Sequence, residues 1–438
     1  MSRWMLTLLA FLSLAGSLQA QSAEEKVRND KKLVEQEGYW LYGDLAKGFE
    51  VAKQNNQPIV VILRCLPCKE CVKLDDELID GDARIKPLLE QFVRVRIVST
   101  NGLDLSLFQF DTDQSFAVFF LHGDGTILGR FGTRSDRTEW IGDVSIDGLA
   151  KAMQKALDLH RDFPQVKASL TAKRGPVPEF TSPEKFPVLS NRYKSTLDYD
   201  GKVAASCIHC HQIGDAIRDT AFLRKQKLPD EVLFPYPHPK SIGLILNPKE
   251  RATVENITAG SFAAQSGFRA RDVIEKLNDQ PLVSIADVQW VLNSVPATGG
   301  EVRADVIRDG QAQQLVLKLP AGWRELDDIS WRASTWGLRR QVLGGMYLRP
   351  LTDDARAKLK LPKTSLSLQV KYLGKSDLAH RAGVRLDDVL VGIDSRTDLL
   401  RDGDLIAYIM HHKQPKEALK LNLLRNGEPL SVTITMPD

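Results

Sequence analysis

Two catalytic signatures are missing from this sequence. It has no GxSxG, the turn that exposes a hydrolase serine, and no HExxH, the helical pair of zinc proteases. On that ground the chain is expected not to be a protease. Charge of one sign is lacking too: 59 basic residues stand against 56 acidic ones, a formal charge of +3. That balance gives no electrostatic reason to expect nucleic acid or an anionic membrane as partner. Beyond residue 20 no apolar run is long enough to span a bilayer. Cysteine is scarce, five in all, and no second Cys/His pair stands at zinc-ligand spacing near the one cluster that contains both. Of six methionines, none lies between residues 212 and 345.

What is present begins with an address. Residues 1–20 read as a cleavable signal peptide: Arg3 is the positive start, Leu6 to Leu14 the apolar stretch, and Ala20 a small residue suited to signal peptidase. The mature protein is therefore expected in the periplasm or secreted, where disulfides persist and c-type haem is attached.

Ser206-Cys207-Ile208-His209-Cys210-His211 contains C-x-x-C-H, the attachment sequence of c-type haem. Thiols at this spacing can add to the two vinyl groups on one edge of the macrocycle, and a histidine following at once can reach the iron. Cys207 and Cys210 are the expected covalent anchors of haem c, and His211 its axial iron ligand. An ordinary small cytochrome c has a downstream methionine as second axial ligand, and the gap in methionine removes it. The sixth ligand is then His238, on the stiff run Phe234–Pro239, or a group from another domain, or nothing.

Upstream, Asp44–Lys53 has helical spacing, with Leu45, Phe49 and Ala52 on one face. Ile59–Leu63 is an apolar run of strand length, ending at Arg64-Cys65-Leu66-Pro67-Cys68-Lys69-Glu70-Cys71, and a helical pattern follows. Strands are expected at Phe92–Val98, Ala117–Leu121 and Thr126–Phe131, the last two joined through the His122–Gly125 turn, and a closing helix at Ile146–Leu159. A helix N-terminus at Cys65 favours the thiolate, and Arg64 adds positive charge. Cys68 can close a disulfide onto Cys65, and Cys71, one turn deeper, is a third thiol without an assigned role.

This order, over about residues 35–160, resembles thioredoxin-like domains. Arg64 stands where thioredoxins carry tryptophan, and Phe116 where they carry the cis-proline facing the CxxC pair. The resemblance implies Cys65 as attacking and Cys68 as resolving thiol of a redox-active disulfide. A structural disulfide, or an inert fold used for binding, is the other reading.

Prolines at 164, 176, 178, 183 and 187 mark residues 161–194 as a semi-rigid linker. The tail then holds a repeat. "SFAAQSGFRARDVI…LNDQPL" and "DLAHRAGVRLDDVLVGID" each closely resemble the PDZ domains of bacterial protease-associated proteins. By that resemblance Ile242, Gly243, Leu244 and Ile245 form the carboxylate-binding loop. Helix Ile285–Val295 is the other wall of a groove in which an extended peptide adds a strand. Gly344–Tyr347 is the equivalent, looser loop of the second unit.

The expected fold class is multidomain α/β and β. Its parts are a signal peptide (1–20), an N-terminal tail (21–37), a thioredoxin-like α/β sandwich (38–160), the linker (161–194), a short haem-binding segment (195–240), a PDZ domain (241–322) and a PDZ-like domain (323–438), the last two as β-barrels with helices. The whole order resembles a secreted bacterial family joining thioredoxin-like, CxxCH and tandem PDZ parts, which implies architecture and no particular reaction. The expected function is an exported redox or electron-transfer protein that recruits exported protein partners by their peptides, with thiol–disulfide exchange as its enzymatic class. A non-enzymatic PDZ scaffold or haem-based sensor is the alternative.

Overall fold

The computed structural model describes residues 22–64, 66, 82–134 and 144–437. The chain opens on α1 (Ala23–Glu37), started by a reciprocal cap in which the Glu25 N–H donates to Ser22 Oγ and the Ser22 N–H to the Glu25 carboxylate. This segment, read as a tail, buries Val27 and Val34 against the domain that follows. Next come β1 (Leu41–Tyr42), α2 (Leu45–Asn55), β2 (Ile59–Arg64), β3 (Val93–Ile97), β4 (Gln114–Leu121), β5 (Ile127–Arg134) and α3 (Ile146–Arg161). The sheet runs β1-β3-β2-β4-β5, with β1, β3 and β2 parallel and β4 and β5 antiparallel. All of β2 is buried, as a central strand requires. Side chains alternate across a strand. Val60, Ile62, Val118 and Phe120 therefore meet Ala152, Met153 and Ala156 of α3, while Val61, Leu63 and Phe119 fill the opposite face.

The segment expected as an extended spacer is folded onto this domain. It begins with α4 (Phe163–Leu170), whose Phe163 and Leu170 join the α3-side core, and continues with Phe186, Leu189 and Tyr193 in the opposite core. Full burial of such side chains contributes on the order of 1.5–3 kcal/mol each, so the aromatic residues between the prolines decide the outcome. The strap leads into α5 (Cys210–Leu223), and Ile208, Ile213 and Ala216 lie in the same core. The CxxCH segment is thus built onto the thioredoxin-like sheet.

The next unit contains β6 (Leu244–Leu246), β7 (Val254–Ile257), α6 (Phe262–Gln265), β8 (Val273–Leu277), β9 (Gln280–Pro281), α7 (Ile285–Asn293), β10 (Gly300–Arg308) and β11 (Gln311–Leu319). After α8 (Thr335–Val342), the last unit contains β12 (Tyr347–Pro350), β13 (Leu368–Tyr372), α9 (Leu378–Arg381), β14 (Val389–Ile393), α10 (Asp402–His412), β15 (Ala418–Arg425) and β16 (Glu428–Thr435). Neither closes into the barrel expected. The first unit splits into a two-stranded sheet β6-β7 and a four-stranded sheet β11-β10-β8-β9, and the second is an open five-stranded sheet, β12-β13-β14-β15-β16. Strands as short as β6 and β9 cannot reach around to pair both edges.

The two units share one local construction. In the first, Asp272 accepts from the Arg269 N–H at 2.9 Å and is bridged by Arg308, whose guanidinium also donates to Gly267 O at 2.8 Å. In the second, Asp388 accepts from the Arg385 N–H at 2.8 Å and is bridged by Arg425, which donates to Gly383 O at 2.7 Å. Gly267 and Gly383 both sit at positive φ, 83° and 109°, where a Cβ is disfavoured.

Buried charges tie the parts together. Asp287 on α7 accepts from Lys173 Nζ at 2.6 Å and from the Arg130 N–H of β5 at 3.2 Å, and the Arg130 guanidinium lies 4.0 Å from the Trp290 ring centre. Arg332 bridges Asp111 at 2.6 Å and Pro235 O at 2.6 Å, while Ser334 donates twice to Asp113.

Candidate functional site

The CxxCH loop is held from behind by the chain just past β3. Thr100 N–H and Oγ1–H both donate to Ile208 O, at 3.0 and 2.9 Å. The Asn101 side chain accepts from the Ile208 N–H at 2.8 Å and donates to Ser206 O at 3.0 Å. These bonds fix the backbone of the motif at the carboxyl ends of parallel strands, the usual place for a ligand site in an α/β sheet. Thr100 and Asn101 were not legible as site residues, since they lie about a hundred positions from the motif and no local pattern joins them.

Cys207 is a free thiol. Cys207 is 4% exposed, with its Sγ–H directed at Val203 O at 3.3 Å. Burial, reinforced by Glu24, pushes this thiol up to about 11, so it stays protonated at neutral pH. Cys210 opens α5 and is partly buried against the sheet core. His211 follows on the first turn, its side chain 40% exposed, with Nδ1 3.3 Å from Asp215 Oδ2 one turn on. Asp215 is steadied in turn by Arg218 at 2.7 Å, which also donates to Ser334 O at 2.8 Å. The i, i+4 spacing on a helix was the signal that could have identified Asp215.

This arrangement fits the haem that the motif implies. The carboxylate on Nδ1 fixes the imidazole tautomer and leaves Nε2 as the ligating nitrogen, the usual support of a metal-bound histidine. A protonated Cys207, with Cys210 three residues on, suits addition to vinyl groups better than a thiolate–metal site. Among the described residues no cluster of three or more His, Cys, Asp or Glu is placed to hold an ion by itself. His209 stacks parallel to His211, ring centres 5.9 Å apart, and burial lowers its pKa.

His238, the candidate second axial ligand, is buried in the junction before β6. Its N–H donates to Asp327 at 3.1 Å, and its Nδ1 accepts from the Lys240 N–H at 3.1 Å, capping the turn Pro239–Ile242. Cys65, Cys68 and Cys71 lie outside the described residues. Their neighbours are informative. Arg64 is buried and ion-paired with Asp30 of α1, so its charge is already offset. Phe116 pairs directly opposite Arg64 in the sheet. Leu66 packs with Val98 and with Val203, the residue whose carbonyl meets the Cys207 thiol. Leu66 therefore lies beside the Cys207 segment.

Of the second expected site, Gly243 takes φ 80° and its carbonyl accepts from the Thr258 N–H at 3.0 Å. A Cβ there would overlap Ser261. Leu244 and Leu246 face the core, with Ile245 between them partly exposed. Among the described residues β6 pairs only with β7, leaving its other edge without a strand. Val288, Val291 and Leu292 of helix α7 pack in the same core.

Two family models match the chain: one described as thioredoxin-like over residues 40–123, and one described as a PDZ domain over residues 239–319. A probable periplasmic serine protease, do/HhoA-like, from Haemophilus influenzae is 25% identical over 146 residues, 33% of this chain and 28% of that protein. A probable periplasmic serine endoprotease, DegP-like, from Pseudomonas savastanoi pv. phaseolicola is 23% identical over 190 residues, 43% of this chain and 38% of that protein. The chain thus spans well under half the length of these curated relatives. Among solved structures, the HtrA3 PDZ domain bound to a phage-derived ligand is 20% identical over 20% of this chain and 79% of that one, with a TM-score of 0.17. The HtrA-type protease AlgW with a decapeptide is 18% identical over 31% of this chain and 49% of that one, with a TM-score of 0.21.

These relatives overturn the expectation that the chain is not a protease, for they are named as serine proteases. The expectation rested on two short signatures, and the absence of a five-residue pattern weighs less than similarity over 146 to 190 residues. The chain contains a thioredoxin-like domain and a PDZ domain.

Proposed function

We propose that this is an exported, periplasmic haem protein, in which the PDZ unit and its structural repeat recruit peptides of exported proteins to a covalently held c-type haem. The observation that carries the reading is the motif itself in its setting. Burial keeps the Cys207 thiol protonated, the backbone between it and Cys210 is locked to Thr100 and Asn101, and His211 is oriented by Asp215. When bound, the haem supplies one-electron chemistry. The chain supplies the two anchors, the oriented imidazole, and the packing of Leu66 with Val203 beside them. Peptide recruitment rests on the matched PDZ domain, the positive-φ Gly243 loop and the open edge of β6. The periplasmic setting of the curated relatives agrees with the export signal read from residues 1–20.

The test is the intact mass of protein exported with the c-type maturation apparatus and then denatured. One haem per chain is expected to stay attached in the wild type and to be lost in the Cys207→Ser/Cys210→Ser variant. Wild-type protein of bare polypeptide mass would overturn the haem reading and leave the peptide reading standing.

A further inference from the structure

The last unit carries an exposed cluster of rings at the start of β12. Trp336 of α8 is 43% exposed and Tyr372 of β13 is 53% exposed. The Trp336 ring centre stands 5.2 Å from that of Tyr347, tilted by 35°, and 5.9 Å from that of Tyr372, edge to face. Tyr347 and Tyr372 are direct partners across β12 and β13. The cluster is backed from inside. The Arg339 guanidinium lies 5.1 Å from the Trp336 ring centre and 4.8 Å from that of Tyr347, and it is buried against Asp402 at 2.7 Å. Arg349 Nε donates to the Tyr347 hydroxyl at 2.7 Å. Rings held in this way offer contact area at low entropic cost, and Trp, Tyr and Arg are the residues enriched in protein interfaces.

The surroundings are basic. Arg340 follows Trp336 by one turn of α8, on the same helix face, and Lys371 precedes Tyr372 on β13. Both are exposed, and among the described residues neither has an acidic partner.

The neighbouring loop is poorly suited to a terminal carboxylate. The Gly345 N–H donates to Arg339 O at 2.9 Å and the Met346 N–H to Leu343 O at 3.2 Å, so two amides of the Gly344–Tyr347 loop are turned inward. Asp377, which accepts from the Gly374 N–H at 2.9 Å, lies against Gly345, where a Cβ would come within 2.3 Å of its Oδ2. A second carboxylate placed there would be repelled. Among the described residues β12 still keeps one edge without a strand.

We infer that the last unit binds an internal segment of a partner protein, an acidic stretch bearing an aromatic residue, with that ring on Trp336 and Tyr372. Exposed rings are complemented by another ring. The unmatched Arg340 and Lys371 select acidic neighbours and repel basic ones. The inference rests on the peptide-recruiting reading of the repeat and narrows it, since the captured segment needs no free C-terminus.

The probe is fluorescein-labelled Asp-Glu-Trp-Glu-Asp with an amidated C-terminus, titrated by anisotropy against the full chain. One-to-one, saturable binding is expected, and restoring the free carboxylate should not strengthen it. Replacing the peptide tryptophan by alanine should weaken binding at least about tenfold, the loss of an aromatic anchor. The basic counterpart Lys-Lys-Trp-Lys-Lys should bind least. Trp336→Ala should weaken binding by about tenfold, and Trp336→Tyr should restore most of it. Tyr372→Ser, at a position more exposed still, should weaken binding without lowering the melting temperature. Gly243→Ala should leave this probe unaffected. Binding unchanged in both Trp336→Ala and Tyr372→Ser, equal binding of the basic peptide, or a requirement for the free carboxylate would overturn the inference. So would no binding of this probe by chain that still captures a free apolar C-terminus, a result that leaves the recruiting reading standing. Failure of both peptides would overturn that reading as well.

Discussion

At the scale of single residues, Cys207 shows how burial prepares a thiol for one chemistry and not another. Its ordinary value of 9.0 is pushed up to about 11 by desolvation and by Glu24. Between those values the folded chain keeps a proton that the unfolded chain releases, so stability falls as pH rises through that window. In a haem-attached chain the sulfur is a thioether with no proton to lose. The melting temperature of haem-free protein should therefore decline from pH 9.0 toward about 11, and Cys207→Ala should flatten the decline. An identical alkaline slope in the variant would show that another group is responsible. The Cys207–His211 spacing can be read in sequence because it is local. Asp215, which orients His211, was within reach of the same argument through helical spacing. Thr100 and Asn101 were not, because a hydrogen bond across a hundred positions leaves no periodicity to read.

At the scale of elements, the junction between β5 and α7 is organised by Lys173, which sits 1% exposed against Asp287. Burial lowers the lysine pKa, and Asp287 opposes that shift. Lys173→Met removes the cation and leaves Asp287 buried with only backbone donors and Arg130 nearby, an expected loss of about 3–5 kcal/mol. Lys151→Met breaks a solvent-exposed pair with Glu250 between the same two units and should cost about 0–1 kcal/mol. Urea unfolding of the two variants measures the contrast, and equal losses would contradict the account. The same scale governs the peptide loop. Gly243→Ala places a Cβ on a positive-φ residue and against Ser261. Binding of a labelled peptide with a free apolar C-terminus, followed by anisotropy, should weaken by at least about tenfold, a strain of 1–3 kcal/mol. Unchanged affinity would remove Gly243 from the site. The PDZ turns were readable because Gly267, Asp272 and their counterparts in the second unit are close in sequence. The strap of residues 161–194 was not, because its prolines dominated the pattern, while Phe186, Leu189 and Tyr193 carried the packing.

At the scale of the whole molecule, the parts pictured from sequence as separate modules on a spacer share cores and buried charges. Ile208, Ile213 and Ala216 of the haem segment complete one face of the thioredoxin-like sheet. Arg332 and Ser334, which precede the last unit, close on Asp111 and Asp113 of that same domain. The β6 edge and the Cys207–Cys210 segment therefore belong to one body. The order of the parts was legible because each carries a compact signature. Their docking was not, because Lys173 and Asp287, or Arg332 and Asp111, acquire meaning only as pairs.

The measurement closest to the central claim is the visible spectrum of the exported protein, oxidised and then reduced, followed by pyridine haemochrome formation. The account predicts one haem per chain with the reduced bands of thioether-linked haem, reversible on re-oxidation, and none in Cys207→Ser/Cys210→Ser. Exported wild-type protein without c-type absorption, from cells that mature another c-type cytochrome at the same time, would contradict it.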